Sequence, residues 1–357
     1  MANWFSDLKV IEISSVLAGP AVGMFFAELG AKVIKVENKK QKGDVTRSWK
    51  LPSEDPQATV SAYFSSVNWN KEYLMMDFTN EADMEQCRAL IAEADILISN
   101  FKFGDAKKFG LDYDSVKSIN STIIYGSISG FGPSSRRIAY DLILQAESGF
   151  MSMNGTPDSG PVKMPVAFID LFAAHQLKEG ILVALIAQLK EKRAYRVDVS
   201  LYDAALASLA NQASNWLMGK KIPQRMGSKH PNIAPYGEFF ETADGALVTF
   251  GIGSNKHFAG LCHELGLKGL IENPDYENNY QRVKHRDSLA KLIQEKVQKR
   301  ESTDLIEKLI SRYVPAAKIK DLKEVFEAES AKKLILEEEI ENVPTQRVKT
   351  TIFSIEP

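Results

Sequence analysis

Two short apolar runs enclose a longer helical segment near the start of the chain. The run at residues 8–13 carries Val10, Ile11 and Ile13, a composition typical of a buried parallel strand. Residues 14–20 interrupt it, and Pro20 suits the first turn of a helix that would run to Leu29, with Gly30 as the left-handed residue that follows. A second strand is expected over residues 32–36, so the pattern predicts a β-loop-α-β unit.

The alternation of strand and helix patterns continues to about residue 217. Apolar runs at residues 74–76, 96–98 and 123–125 alternate with helical stretches such as 81–94. A long apolar helix is predicted over residues 171–189, followed by a strand at 196–200 and a further apolar helix. This order favours an α/β fold with an open parallel sheet and helices on both faces.

A different pattern follows a loop rich in Pro, Gly, His and Asn at residues 222–235. Residues 237–240 and 246–250 flank the turn Asp244-Gly245, which predicts a hairpin, and two charged helices are expected at 287–298 and 303–311. We predict a large domain over residues 1–220, a smaller α+β domain with its linkers over 221–320, and a segment over 321–357 that returns to the large domain.

Composition narrows the functional classes. The chain has 357 residues and no run that approaches the ~20 apolar residues of a membrane span. Its start lacks a signal-peptide pattern, and Cys87 and Cys262 cannot form a disulfide framework, so a cytoplasmic protein is expected. Lys and Arg total 44 against 46 Asp and Glu, which argues against a nucleic-acid binder but is compatible with a local cationic pocket.

The opening unit also suggests a dinucleotide site, because Glu37 closes the second strand where a ribose-binding acid would stand. The loop at residues 14–20 has one glycine, Gly19, where the dinucleotide fingerprint needs three. Nicotinamide and flavin binding therefore lose support, and a sheet-based domain without a ligand at this loop stays open. The histidines show no metal-ligand spacing, so no metal site is predicted.

Asp170 and a pair of glycines are the candidates for chemistry. Asp170 ends an apolar run immediately before the long apolar helix, which predicts an N-cap. A carboxylate in that place is also a candidate nucleophile toward an activated carbonyl, and the two roles are compatible. Gly251 and Gly253 end the hairpin strand, where missing side chains permit a ligand to approach closely.

Several segments together resemble the class III CoA-transferases, a family that includes formyl-CoA transferase and the α-methylacyl-CoA racemases. Their shared order is specific, although each segment is short. The matching segments are Leu17-Ala18-Gly19-Pro20, residues 29–37, Gly43-Asp44-Val45-Thr46-Arg47, Asn70-Lys71, Asn100-Phe101, Gly110-Leu111, Gly130-Phe131-Gly132, Tyr140-Asp141-Leu142, Gln145-Ala146, the Asp170 segment, residues 197–201 and Ala234-Pro235-Tyr236.

The resemblance implies a Rossmann-like CoA-binding domain, a small domain, and two chains interlocked like rings into a homodimer. It also implies that Asp170 is the catalytic residue, which forms a mixed anhydride and then an aspartyl-CoA thioester. Because anhydrides hydrolyse readily, a glycine-rich loop would exclude water, and Gly251, Gly253 and Ser254 are the candidate lid. Coenzyme A and acyl-CoA would be substrates, with no permanently bound cofactor and a carboxylic acid as the acceptor.

The resemblance also implies a set of CoA contacts. These are Val16, Leu17, Ala18, Asn38, Lys39, Met76, Asn100, Phe101, Lys108, Phe109, Arg137 and Tyr140. Two positions depart from formyl-CoA transferase. Asn38 replaces a basic residue, for which Lys39 and Lys40 could substitute, and Leu17 replaces a glutamine, which favours a larger or less polar acyl group than formate or oxalate.

The sequence therefore predicts an acyl-CoA:carboxylate CoA-transferase. An α-methylacyl-CoA racemase of the same fold is an alternative, but the racemase base, a histidine, is replaced by Tyr140 before Asp141. A CoA-binding protein without catalysis is a second alternative, and a nicotinamide oxidoreductase is a distant one.

Overall fold

The computed structural model describes residues 3–356. Its chain divides into two compact units. The first takes in the chain up to Met153, Val162–Pro223 and the chain from Lys333 onward, and the second takes in Asn154–Pro161 and Gln224–Lys332. The sequence predicts boundaries after residues 220 and 320, whereas the compact units part at Pro223 and Lys332, and the second unit includes the Asn154–Pro161 segment.

Six parallel strands form the sheet of the first unit. They are β1 (Lys9–Ile13), β2 (Lys32–Asn38), β3 (Glu72–Met76), β4 (Ile96–Ser99), β5 (Ile124–Ser129) and β6 (Tyr195–Ser200). Their order is β3-β2-β1-β4-β5-β6, and Val10 of β1 lies opposite Val33 of β2 and Ile96 of β4. The predicted parallel sheet is therefore confirmed, with β6 as its last strand.

Helices cover both faces of this sheet, because neighbouring strand residues point to opposite sides. Val10 packs in a core with α1 and the long helix α8, whereas Ile11 packs in a second core with α3 and α5. The helices are α1 (Ala18–Glu28), α2 (Ala62–Ser65), α3 (Glu81–Ala92), α4 (Asp105–Lys108), α5 (Tyr113–Ile119), α6 (Asp141–Glu147), α7 (Phe150–Met153), α8 (Phe168–Gln188), α9 (Leu201–Ala207) and α10 (Ala210–Leu217).

The second unit contains the predicted hairpin. Strands β7 (Tyr236–Glu241) and β8 (Leu247–Gly251) pair antiparallel, and β9 (Ala316–Lys318) pairs with β8. Phe240 and Phe250 stack in its core with ring centres 5.2 Å apart. Its helices are α11 (Asn255–Leu265), α12 (Asn279–Lys284), α13 (Arg286–Val297), α14 (Ser302–Ser311), α15 (Leu322–Phe326) and α16 (Glu329–Lys332).

The last strands, β10 (Ile335–Ile340) and β11 (Val343–Val348), form an antiparallel hairpin in the first unit. Glu28 of α1 is completely buried, and its carboxylate pairs with Arg347 and accepts the backbone N–H of Thr351 at 2.6 Å. The C-terminal segment is therefore held to α1 by a buried ion pair. Within residues 3–356, every helix is too short or too polar to cross a membrane.

Candidate active site

A cavity of about 850 Å³ opens at the carboxyl ends of β1, β4 and β5. Ser15 and Val16 after β1, Asn100 and Phe101 after β4, and the segment after β5 line it. The strand order reverses between β1 and β4, and ligands of open α/β sheets bind in the crevice outside such a reversal. Topology alone therefore marks this cavity as the candidate active site.

Asp170 lies in the lining of this cavity and is 7% exposed. The predicted N-cap role is wrong, because Asp170 is the third residue of α8 and Ala167 precedes the helix without a capping side chain. The cap is supplied by Asp141, whose Oδ2 accepts the backbone N–H of Ile169 at 2.9 Å and that of Asp170 at 3.4 Å. Asp170 therefore does not cap α8. No local sequence pattern indicated that Asp141, 29 residues earlier, would do so.

The electrostatics of Asp170 follow from its surroundings. Burial, and then the negative charge of Asp141, raise the pKa of Asp170 to about 7. Burial also raises the pKa of Tyr63 to about 12, with Asp170 as the largest charge that contributes. The carboxyl group of Asp170 therefore changes protonation near neutral pH, as expected for a group with a chemical task.

The loop after β1 is clamped to β4 by Asn100. Its Oδ1 accepts the backbone N–H of Ser15 at 3.1 Å, and its Nδ2 donates to the carbonyl of Ser15 at 2.8 Å. Val16 follows with a φ of 73°, in a left-handed region that β-branched residues rarely adopt. The loop therefore presents its backbone to the cavity in a strained and externally held conformation.

Three arginines and one lysine line the cavity, together with four aspartates. Arg137 lies 3.8 Å from the ring centre of Phe131 and pairs with Glu147, while Arg136 lies 5.3 Å from the ring centre of Phe103. Guanidinium groups suit phosphate and carboxylate ligands. Sequence reasoning identified Arg137 but missed Lys102, Arg136 and Arg196, which also line the cavity. Arg136 could have been predicted from the sequence, because it directly precedes Arg137.

Glu37 is not available as the ribose ligand of a dinucleotide. Its carboxylate binds Arg47 in a bidentate pair with contacts of 2.7 and 2.8 Å, and both side chains are buried. This pairing removes the remaining sequence argument for a nicotinamide or flavin site.

Comparison with known proteins fits this geometry. The sequence profile of CoA-transferase family III matches residues 5–356. The chain belongs to CoA-transferase family III. It is 38% identical to the succinate–glutarate CoA-transferase of Agrobacterium fabrum (strain C58 / ATCC 33970) over 90% of this chain and 81% of that protein. It is 34% identical to the human succinyl-CoA:glutarate CoA-transferase over 89% of this chain and 72% of that protein.

A solved structure agrees with this assignment. The crystal structure of a CaiB/BaiF family protein from Brucella suis superposes with a TM-score of 0.83 at 36% identity, covering 99% of this chain and 93% of that one. Membership in family III makes this chain an enzyme of the CoA-transferase class, for which CoA thioesters are the substrates.

The predicted CoA contacts separate into two groups in the structure. One group lines the cavity together with Asp170: Val16, Ala18, Asn100, Phe101, Arg137 and Tyr140. The other group lies outside that lining. Leu17 and Met76 are buried in the two cores, Phe109 packs against Phe101 and Phe78, Lys108 lies beside Phe109, Asn38 caps a short turn, and Lys39 belongs to that turn.

The predicted lid belongs to the second unit. Gly251 ends β8, and Ser254 caps α11 by accepting the backbone N–H of His257 at 3.1 Å. Gly253 lies between them, and a methyl group added there would meet no atom within 4 Å. The lid role of these residues stays a prediction.

Proposed function

We propose that this member of family III moves CoA from an acyl-CoA to a free carboxylate and that Asp170 is the covalent nucleophile. The observation that carries the proposal is the place of Asp170, a buried carboxylate in the cavity at the strand-order reversal. Family membership supplies the reaction class. The Asp170 carboxylate is the group that could attack the thioester carbonyl of an acyl-CoA.

In the proposed reaction, one Asp170 oxygen attacks the thioester carbonyl, the C–S bond breaks, and CoA leaves as a thiolate. The thiolate attacks the Asp170 acyl carbon of the resulting anhydride, which releases the donor carboxylate and leaves an aspartyl-CoA thioester. The acceptor carboxylate then repeats these steps in reverse, so the products are a new acyl-CoA and a free Asp170. No bond is oxidised and no ATP is consumed.

The surroundings of Asp170 suit a nucleophile. Since its pKa lies near 7, the ionised form is available at neutral pH and is poorly solvated. A carboxylate shielded from water keeps more of its reactivity toward a carbonyl. The closing of the Gly251–Ser254 segment over the acyl group belongs to the same proposal, as does an interlocked homodimer.

We further propose that the donor and acceptor are short dicarboxylates, rather than the less polar acids expected from Leu17, because Leu17 is buried in the core and lies outside the cavity lining. The named relatives act on succinate and glutarate or their CoA esters. The cavity carries more than one guanidinium, so one could bind a free distal carboxylate while others bind CoA phosphates.

The test is the intact mass of the protein after brief incubation with succinyl-CoA, glutaryl-CoA and acetyl-CoA. Wild-type protein should gain the mass of CoA less one water, and hydroxylamine should remove it. The Asp170→Asn variant should gain nothing. The matched control is Asp7→Asn. Asp7 is exposed and precedes β1, so it lies at the amino end of this strand, away from the cavity at the carboxyl ends.

Two results would contradict the proposal. One is an adduct that persists in Asp170→Asn. The other is exchange of deuterium into the α-carbon of a 2-methylacyl-CoA without any acceptor acid, which would indicate a racemase.

A further inference from the structure

The segment Gly43-Asp44-Val45-Thr46-Arg47 lies outside the lining of the CoA cavity, although it is among the most recognisable parts of the sequence. One of its side chains nevertheless reaches the cavity wall. The two carboxylate oxygens of Asp44 share the backbone N–H of Val16, each at 3.2 Å. Val16 is the residue of that wall with a φ of 73°.

The positive φ of Val16 must be stabilised by contacts with other residues. A β-branched residue at positive φ is strained, and such strain persists only where the surroundings fix the backbone. The hydrogen bond that Asp44 accepts from the Val16 N–H orients the amide of Val16 itself. The Asn100 clamp holds the Ser15 carbonyl, which lies in the same peptide plane as the Val16 N–H, so Asn100 and Asp44 orient this peptide unit together from opposite sides of the C–N bond.

Asp44 is in turn fixed by buried partners. Lys35 lies 3.1 Å from its Oδ2, while the backbone N–H and hydroxyl of Thr46 donate to its Oδ1 at 3.0 and 2.8 Å. Burial alone would raise the pKa of Asp44, but the charge of Lys35 and these hydrogen bonds hold it below its usual value. The group therefore carries its charge throughout the neutral range.

The same cluster holds the start of the loop and the first turn of α1. Glu12, fully buried in β1, pairs with Lys35 and Lys71 at 2.7 Å each. Lys35 donates to the carbonyl of Ser14 at 2.7 Å, and Lys71 donates to the carbonyl of Pro20 at 2.9 Å.

α1 leaves room for this cluster at Gly23. The Glu12 carboxylate fills the space where a side chain at position 23 would begin. The charges thus sit directly between β1 and α1, beneath the loop that joins them.

We propose that Asp44, supported by the buried Lys35–Glu12–Lys71 cluster, is a positioning residue that holds Val16 in its left-handed conformation for CoA binding. The inference rests on the proposed function, because it takes CoA as the ligand of the cavity. Without the Asp44 charge, Val16 would relax to a negative φ, and the loop would present different backbone groups to CoA.

The test combines Asp44→Asn with Val16→Gly, because glycine adopts positive φ without strain. The dissociation constant of free CoA is measured by calorimetry for the wild type, both single variants and the double variant. Asp44→Asn should raise the constant about tenfold when Val16 is present, and about threefold or less when residue 16 is glycine. A matched control is Asp321→Asn, since Asp321 also accepts a backbone N–H but caps α15.

Equal effects of Asp44→Asn in the two backgrounds would overturn the inference, and so would unchanged CoA binding in Asp44→Asn. A purely structural role would lower the unfolding temperature equally in both backgrounds without this dependence on residue 16. If Asp44→Asn fails to fold, Thr46→Val is used instead. This substitution removes the hydroxyl that donates to Asp44 Oδ1 and keeps the side-chain volume nearly constant. Absence of CoA binding by the wild type would instead count against the proposed function.

Discussion

The carboxylate of Asp141 accepts the backbone N–H of Asp170 at 3.4 Å, so two acidic residues meet at the first turn of α8. Asp141 also accepts the N–H of Ile169 and a hydrogen bond from Gln145. Asp141 therefore caps the helix and, in addition to burial, raises the pKa of Asp170. Division of the two roles between two side chains leaves Asp170 free for chemistry.

We predict that Asp141→Asn shifts the acidic limb of the pH–rate profile to lower pH. Removal of the Asp141 charge lowers the pKa of Asp170, so the ionised nucleophile persists at lower pH. Because asparagine caps helices about as well as aspartate, the stability of the variant should change little. The measurement is kcat/KM against pH, with stability followed by urea unfolding, and an unmoved limb would contradict the prediction.

We predict that Asp170→Asn abolishes transfer but stabilises the fold at pH 8. The pKa of Asp170 is raised from 3.8 to about 7, so ionisation destabilises the folded state progressively as pH rises between these values. A shift of this size corresponds to at most about 4 kcal/mol. The advantage of the variant in urea unfolding should therefore be present at pH 8 and absent at pH 4. An equal difference at both values would exclude this cause.

We predict that Glu28→Gln destabilises the protein by about 3 kcal/mol, since it leaves buried Arg347 without its charge partner. Although burial opposes it, hydrogen bonds from Thr351 and Thr350 and the contact with Arg347 lower the pKa of Glu28. Its stabilisation is therefore present above the usual value of 4.5 and is lost as pH falls.

The measurement for Glu28→Gln is urea unfolding at pH 7 and at low pH, where the difference from wild type should narrow. The comparison variant is Glu93→Gln, which removes the exposed pair with Lys9 and should leave the unfolding midpoint unchanged. Equal effects of the two variants would show that burial of the ion pair is not the cause.

We predict that Gly253→Ala leaves stability unchanged but increases hydrolysis of the acyl group relative to transfer. A methyl group at this position meets no atom within 4 Å, so the conformation of the structure tolerates it. If the loop closes over the anhydride, alanine restricts the backbone angles that residue 253 can adopt during closure. The measurement is the ratio of free acid to new acyl-CoA. Gly269→Ala is the control, because position 269 is equally open and belongs to a short helical turn after α11. A ratio that stays at the wild-type value would remove the lid argument.

Local sequence patterns predicted the elements that carry the cavity. Apolar runs predicted β1, β2 and β4, because buried parallel strands are apolar on both faces. They also predicted the long helix α8, although three residues short at its start, and this error produced the wrong N-cap assignment for Asp170. Helix starts are weakly encoded where the cap comes from elsewhere in the chain, as it does here from Asp141.

By itself, the sequence determined the alternation of strands and helices and the resemblance to the family, and it singled out Asp170 as a candidate, because short-range periodicity and ordered motifs are local properties of the chain. The tertiary structure alone decided which groups the motif residues contact. Asp44 lies 28 positions from Val16 and Asp141 lies 29 from Asp170, yet the Asp44 carboxylate accepts the backbone N–H of Val16 and the Asp141 carboxylate accepts that of Asp170. Such contacts join segments that are far apart in the sequence, so no local pattern encodes them.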